Sequence, residues 1–517
     1  MIELETQGGR RGGRRRERGA ANGVRSRAAR YRTLRNPFTP QEVFTTDRVE
    51  AIHQTALRVL EELGIKVLLP EGRARFAKAG AIVDGDTHMV RIGRDIVQQA
   101  LSTAPRSIHL RAANPEREQD FRLGTMAFMA GAGCPHATDL IRGRRPSTYS
   151  DYEELLKLAQ SFDVLHLIGP AAEPQDVPLH LRHYAMMRAQ LTLSDKPTFV
   201  YARGRGQVAD SFEMVRIARG LSEDEFRAAV WCNTVINSNS PRQLDMPMTQ
   251  GIIDFAEAGQ MSIITPFCLA GAMAPITVAG ALTLQHAEAL AGITLSQIVR
   301  PGAPVCYGGF SSNVDMKSGS PAFGTPEHIQ TTLGAGQLAR HIGLPWRSAA
   351  GTASNVADAQ AAHETLMSSW SVVLAGATLN VHAAGWLEGG LTLSYEKLIT
   401  DLEALQTFAE LCTLPAADDD AIGYQAIADV QPGGHFFSTP HTMERYQTAF
   451  YEPLVADWSN FGAWTEAGAK TSTERATGIW QEKLATFSPP PAVAGCEELL
   501  APFIEHRTAE GGAAPES

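Results

Sequence analysis

The sequence is short of the residues that announce several common chemistries. Its 517 residues hold six cysteines, Cys134, Cys232, Cys268, Cys306, Cys412 and Cys496, too far apart for a disulfide framework and without a CxxC pair. That usage is expected of a protein kept in a reducing, cytoplasmic compartment. There is no HExxH or HxH spacing to seed a zinc site, no Gly-x-Ser-x-Gly elbow to expose a nucleophilic serine, and no Gly-x-Gly-x-x-Gly behind a first strand to cradle a dinucleotide. No apolar run reaches the roughly 18 residues of a membrane span. The basic start of the chain is not followed by the apolar stretch of a signal peptide, so no membrane association is expected.

What is present is ample apolar material, 44% of residues, and a charge that is unevenly placed. Residues 1–35 carry eleven Arg and three Glu, or +8, which leaves −18 on the rest of a chain whose formal net charge is −10. Arg10-Arg11-Gly12-Gly13-Arg14-Arg15-Arg16 is read as part of a disordered, solvated arm rather than a nucleic-acid contact, because nothing downstream supports such binding.

After the arm, Val49, Ile52, His53, Ala56, Leu57, Leu60 and Leu63 recur at helical spacing, with Thr45 or Thr46 as N-cap and Gly64 as the stop. Strand-like runs at 65–69, 89–92 and 108–111, with a helix near 94–103, make 36–125 an α+β N-terminal subdomain whose role is packing. From residue 126 a different rhythm begins. Apolar runs at 127–132, 164–171, 198–202, 228–235, 261–266, 305–310, 347–351 and 378–384 are each followed by a helical pattern, near 149–161, 178–192, 207–220, 243–258, 280–299, 326–342, 358–375 and 395–412. Eight βα units with nearly continuous apolar strands predict a (β/α)8 TIM barrel over 126–412, since barrel strands are covered on both faces. Residues 413–485 are expected to form a helical cap and 486–517, with Pro489-Pro490-Pro491, a flexible tail.

Barrel chemistry sits at the C-terminal strand ends, which selects His136, Glu173, Arg203, Asn233, Asn237, the 265–275 and 307–315 stretches, 351–355 and 382–388. Cys232, Cys268 and Cys306 fall in or just after three successive strands, but buried cysteines are commonly plain apolar residues, and no metal is expected. His363 and Glu364 suit a helix-to-loop hydrogen bond as well as catalysis. The segment His382-Ala383-Ala384-Gly385-Trp386-Leu387-Glu388 puts an imidazole, an indole and a carboxylate among small residues. An aromatic face near a carboxylate suits a methylated ammonium, which has no N–H to donate; packing of Trp386 at the mouth, with a solvated Glu388, is the competing reading.

Several ordered blocks between about Phe44 and Lys470 resemble the trimethylamine methyltransferase family of corrinoid-dependent enzymes. They are Phe44-Thr45-Thr46-Asp47 with Ala51-Ile52-His53, Pro275-Ile276-Thr277-Val278-Ala279-Gly280 through His286-Ala287-Glu288, and Tyr307-Gly308-Gly309 through Asp315-Met316-Lys317 to Gly324-Thr325-Pro326-Glu327. Further blocks are Gly343-Leu344-Pro345, Asp358 through Ala362-His363-Glu364, Ala384-Gly385-Trp386-Leu387-Glu388, and Gly433-Gly434-His435-Phe436-Phe437 with His441-Thr442.

The resemblance implies a barrel enzyme that moves a methyl group from a methylated amine to the Co(I) corrinoid of a separate cognate protein, with no tightly bound cofactor of its own. It also implies self-association as a homo-oligomer. The archaeal trimethylamine enzymes carry pyrrolysine at the position that aligns, counting back from His363, with Gly351. Glycine cannot form the amine adduct attributed to that residue, so the resemblance points to the pyrrolysine-free branch and a quaternary amine such as glycine betaine, proline betaine or carnitine.

The expected site follows from that chemistry. Trp386, with Tyr307 or Phe310, lines the methylammonium beside Gly351. Glu388 acts at longer range, because a carboxylate touching the cation would stabilise the ground state more than the transition state. His382, Arg203, His136 and Asn313, in descending preference, are the candidates to anchor the substrate carboxylate. His435 and His441 are read as capping rather than as a carrier-docking surface. Two other classes stay open at this level: a metal-dependent lyase or hydrolase on the same barrel, and a non-catalytic betaine-binding protein.

Overall fold

Apolar runs that are covered on both faces place the strands of the main sheet. In the computed structural model, which describes residues 31–516, these are β1 (Leu34–Arg35), β2 (Thr125–Phe128), β3 (Thr198–Phe199), β4 (Cys232–Ile236), β5 (Met261–Ile264), β6 (Val305–Gly308), β7 (Trp346–Ala349) and β8 (Leu379–Val381). Their order is β1-β2-β8-β7-β6-β5-β4-β3, and every pairing but the antiparallel β1–β2 is parallel. Helices Arg205–Arg219, Met246–Ala258, Val278–Val299, Pro326–Ile342, Ala359–Leu374 and Tyr395–Leu411 follow β3 to β8 in turn, and Tyr149–Ser161 follows β2. The last strand lies beside the first of the repeat, with Leu379 opposite Ala127 and Asn380 opposite Phe128, so the sheet curls back toward its start.

The strand pairing gives the curled sheet and does not by itself close the eight-stranded barrel expected from the rhythm. Residues 164–170 add no strand to the main sheet: Leu167 makes one isolated parallel bridge to Met129, and the strand Ala171–Ala172 pairs with Ala132–Cys134 in a separate ladder. The free edge of β2 is shared. Leu34 and Arg35 lie opposite Met126 and Thr125, and His166 accepts the Phe128 amide at its Nδ1 (3.2 Å) and bonds the Arg32 carbonyl through Nε2 (3.0 Å). Gly169 then passes so close to the chain that a Cβ would stand 2.7 Å from the Ala130 carbonyl oxygen. The fold is therefore mixed α/β with a curled eight-stranded sheet and a helical C-terminal region.

Two apolar clusters flank this sheet. Successive residues alternate across it, so that Val305 and Tyr307 of β6 join the cluster beneath the helices while Cys306 joins the other. The 22-residue helix Val278–Val299 is buried almost all round, from Ala281 to Gln297, because the N-terminal subdomain covers the side that a barrel helix ordinarily gives to solvent. In that subdomain the chain forms the helices Thr46–Arg58 and Arg94–Thr103. Gly64 ends the first after a π turn (Val59–Leu63), at φ +73° and with its Cα against the Val90 carbonyl, where any Cβ would be 2.5 Å from that oxygen. Its four-stranded sheet takes in Gln243–Leu244 from the loop after β4, so it fastens that loop as well as packing.

Two edges of the expected organisation change. Residues 1–30 of the arm lie outside the described residues, while its last residues form β1. Where a flexible tail was expected, Cys496–Ala509 is a helix that buries Cys496 and Leu500 in the cluster with Val215 and Ala218; the Pro-, Gly- and Ala-rich flanks hide its short apolar face. The segment 417–452 holds three short helices, Asp419–Ile422, Tyr424–Ala428 and Pro440–Arg445, each of at most six residues. Within it His435 packs tilted on Phe437, centroids 5.5 Å apart, and Thr439 caps the third helix.

Candidate active site

The C-terminal ends of β3 to β8 and the loops beyond them enclose a cavity of about 680 Å³. Its walls differ in chemistry. From beyond β5, β6 and β8 come the rings of Phe267, Phe310 and Trp386, and from the loop after β4 come Asn237, Ser238, Asn239 and Ser240.

Phe310 is the hub of the aromatic wall. It stacks on Phe267 (centroids 5.1 Å, 30°) and on Phe323 (5.5 Å, 15°) and takes Trp386 edge-to-face at 5.8 Å. His382 in turn stacks on the indole at 4.8 Å and 22°. Trp386, 4% exposed, is held by glycines: a Cβ on Gly390 would lie 2.6 Å from the indole, and one on Gly351 would lie 2.8 Å from Phe323 and 2.9 Å from Trp386. Gly351 thus does not border the cavity. The space that its missing side chain leaves is filled by two rings that shape the wall.

Beside this wall stands Arg347, 2% exposed, on β7. Its guanidinium lies 5.4 Å over the Phe310 ring, and its Nη2 reaches His382 Nε2 at 3.4 Å, while Nε and Nη1 have no hydrogen-bond partner. No carboxylate pairs with it among the described ion pairs. Burial pushes its pKa down to about 9. A buried guanidinium without a counter-charge costs several kcal/mol, on the order expected for one ion, and such a group is kept where an anion will complete it. His382 shares the strain: it sits at φ +56°, a region few non-glycine residues adopt, with Nδ1 unpartnered. Burial, with the Arg347 charge beside it, holds its imidazole neutral, well below the usual histidine range.

Arg203 also lines the cavity, but it is already engaged. Its two terminal nitrogens meet both carboxylate oxygens of Glu173 at 2.7 and 2.6 Å, over the Tyr201 ring. Of the residues expected at the site, the structure brings together Phe310, Arg203, His382 and Trp386.

The others stand elsewhere. Tyr307 points away from the cavity into the helix layer, where its hydroxyl meets His286 Nδ1 at 3.1 Å and Gln285 Nε2 at 3.3 Å. Asn313 accepts the Thr325 hydroxyl (2.8 Å), and His136 bonds the Leu391 carbonyl through Nδ1 (3.2 Å). Glu388 pairs with Arg144 at 2.8 Å and accepts the Thr392 hydroxyl; partial burial raises its carboxyl pKa, but these partners hold it below the usual range. Only its neighbours Gly389 and Gly390 reach the cavity. Glu364 makes the helix-to-loop bond that its position suggested, accepting the Thr352 hydroxyl and the amides of Ala353 (2.8 Å) and Ser354 (3.2 Å). The thiols of Cys232, Cys268 and Cys306 are buried, which pushes each of them up, and among the described residues no three His, Cys, Asp or Glu are grouped to hold a metal ion.

Arg347 was not singled out from the sequence, and Phe267 only as part of the 265–275 stretch. The signal for the first was there: an arginine at the second position of a strand otherwise made of Trp346, Ser348 and Ala349, in a sheet buried on both faces.

Comparison with known proteins gives a consistent set of likenesses. The family model described as trimethylamine methyltransferase (MTTB) matches residues 9–512. A glycine betaine methyltransferase of Desulfitobacterium hafniense (strain Y51) is 36% identical over 472 residues, 91% of this chain and 98% of that protein. A trimethylamine methyltransferase MttB of Desulfitobacterium hafniense (strain DSM 10664 / DCB-2) is 29% identical over 91% of this chain and 95% of its own. Among solved structures, the Methanosarcina barkeri monomethylamine methyltransferase (MtmB) aligns with 90% of this chain and 88% of its own at 10% identity and a TM-score of 0.49.

Proposed function

The chain belongs to the trimethylamine methyltransferase family, and from that premise we propose that it moves a methyl group from a small betaine, glycine betaine first among them, to the Co(I) corrinoid of a partner protein. One observation carries the choice of substrate: a buried, unpaired Arg347 directly beside an aromatic wall. A betaine joins a carboxylate to a quaternary ammonium through a single carbon, and the two recognition elements lie equally close. The carboxylate takes the free Nε and Nη1 of Arg347 in a charge-assisted pair, which cancels the cost of burying that cation. The trimethylammonium rests on Phe310, Phe267 and Trp386, each ring contributing about 0.5–2 kcal/mol.

Trimethylamine fits this site poorly on two counts. It carries no carboxylate, so as the ammonium it would place a second cation beside Arg347. The resemblance also aligns Gly351 with the pyrrolysine of the archaeal trimethylamine enzymes, and here that space holds Phe323 and Trp386. The relative with the highest identity reported above is a glycine betaine enzyme, which supports the same reading.

The corrinoid supplies the cobalt nucleophile that accepts the methyl group. The cavity of about 680 Å³ has ample room for a small zwitterion, and in this reading the corrinoid is presented at the barrel mouth by its carrier. The task of this chain is to hold and orient. Cleavage of the C–N bond turns a cation into a neutral tertiary amine, so aromatic faces suit the step better than a contacting carboxylate would. The amine leaves without a proton, and Glu388, paired with Arg144, has no acid role to fill. His382 keeps Arg347 in place through Nη2 and backs the indole. In the same reading, residues 164–171 complete the curled sheet as the irregular second strand of a (β/α)8 barrel.

The test is a calorimetric titration of glycine betaine into the unaltered protein and an Arg347→Met variant. Loss of an ion-paired anchor worth roughly 3 kcal/mol weakens binding about a hundredfold. Equal affinity in the two proteins would reject Arg347 as the anchor.

A further inference from the structure

The polar wall of the cavity has a charge behind it. Glu288 lies in the middle of the buried helix Val278–Val299 and is 1% exposed. Its carboxylate accepts the hydroxyls of Ser238 (2.5 Å) and Ser240 (2.6 Å) and the Arg242 amide (2.7 Å), with the Cys268 thiol at 3.9 Å. Both serines line the cavity. Since their hydrogens point back at Glu288, what they turn toward the cavity is oxygen lone pairs.

Glu288 also has no cationic partner among the described ion pairs. The Arg242 side chain is directed to the Gly64 carbonyl (3.2 Å), and Arg242 reaches the carboxylate through its amide alone. The loop is fixed from its far side as well, by the Lys66 amide on the Arg242 carbonyl. One cavity is thus bordered by two buried charges without counter-ions: Arg347 on β7, and Glu288 behind the loop that follows β4, with β5 and β6 between them in the sheet. Two such charges of opposite sign are costly to keep unless a ligand carries both complements.

Building on the betaine reading above, we propose that Glu288, acting through Ser238 and Ser240, is the negative pole of the cavity. It draws in the ammonium end of the substrate while Arg347 takes the carboxylate, and the pair selects zwitterions over cations and over anions. Glu288 is a positioning residue, since a layer of hydroxyl oxygens separates it from the ligand. That layer matters for the reaction. It keeps the carboxylate out of contact with a cation that must lose its charge, so the field favours binding and weighs little on the chemical step.

The experiment uses glycine betaine and 3,3-dimethylbutanoate, the isostere in which carbon replaces the charged nitrogen. Both are titrated into the unaltered full-length protein and into Glu288→Gln. The expected result is that the unaltered protein prefers the betaine and that Glu288→Gln lowers betaine affinity about tenfold, the scale of two charges about 6 Å apart at an effective dielectric of about 40, between the values for a protein site and for bulk water. Affinity for the isostere should hold, and in methyl transfer KM should rise with kcat changed less than about twofold, a split that a general loss of structure does not give. An unchanged ratio of the two affinities would overturn the proposal. If Glu288→Gln does not fold, as judged by near-UV circular dichroism, Ser238→Ala/Ser240→Ala removes the oxygen layer and is expected to cut the same ratio; an unchanged ratio there overturns it equally. Failure of the unaltered protein to bind glycine betaine would instead reject the betaine reading, and this inference with it.

Discussion

Two buried polar clusters, one on each face of the curled sheet, differ in how their rings and cations are partnered. In the cluster on the outer face, beneath the helices, the rings satisfy one another: His53 Nδ1 meets His286 Nε2 at 2.9 Å, and His286 Nδ1 meets the Tyr307 hydroxyl at 3.1 Å. On the inner face Arg347 Nε and Nη1 and His382 Nδ1 are left without partners, and His382 is held at a positive φ. Both sets are buried, and they meet at neighbouring strands: Tyr307 stands on β6 and Arg347 on β7, while His53 and His286 reach Tyr307 from the helices above it. A closed polar network rigidifies a fold, whereas an open one of the same depth is tolerated where a ligand will close it. The difference separates a cluster closed within the scaffold from one left open beside the cavity.

That contrast can be broken most forcefully at Arg347. Arg347→Met should cost about a hundredfold in betaine affinity while the midpoint of urea unfolding holds or rises, because an unpaired buried charge is removed. A fall in both would move Arg347 to the scaffold class. Gly351→Lys comes next: its side chain must enter the space of Phe323 and Trp386, displacing the aromatic wall, and overpacking of about 1–3 kcal/mol should accompany loss of methyl transfer. Full activity in that variant would contradict the placement of both rings. Trp386→Ala should weaken betaine binding by about twofold to thirtyfold, the range of one cation–π contact, and unchanged affinity would remove the indole from the wall.

The outer face should respond in stability and not in binding. Tyr307→Phe is expected to lower unfolding free energy by about 1 kcal/mol with betaine affinity intact; a weakened affinity would place Tyr307 with the inner set. Acid should act on this face too. Burial, then the neighbouring His341, lowers the His53 pKa from its ordinary 6.5 to about 4, so the folded state binds fewer protons than the unfolded state in that interval. Its contribution is complete above about pH 6.5 and is lost as pH falls toward 4, so urea midpoints measured across that window should decline. Substituting His53 by Gln should flatten the decline.

How far the sequence foretold this varies with the kind of information. The βα rhythm gave seven of the expected strand positions and the helices after them, because long apolar runs and helical spacing are local properties. Closure at residues 164–171 was not legible, since it depends on Leu34–Arg35 and on His166 competing for the edge of β2 from far away in the chain. The strand-end rule located Phe310, Arg203, His382 and Trp386. It misplaced Tyr307 because a strand buried on both faces shows no alternation, leaving the inward parity unreadable. Asn313 and His136 lie in short strands outside the main sheet, Ser312–Val314 and His136–Thr138, and Glu388 in a 3-10 turn, and their side chains are directed by partners such as Thr325 and Arg144. Arg347 escaped because the run was started at that residue, which made an interior charge look like a strand boundary.

The central claim is that the inner face is built for a betaine, and methyl transfer tests it most directly. Purified protein is mixed anaerobically with its corrinoid protein, or with cob(I)alamin, and offered glycine betaine and trimethylamine separately while formation of the methylcobalt species is followed spectrophotometrically. The account predicts methylation with glycine betaine and none with trimethylamine. Methylation from trimethylamine, or silence with glycine betaine in the presence of a functional carrier, would contradict it.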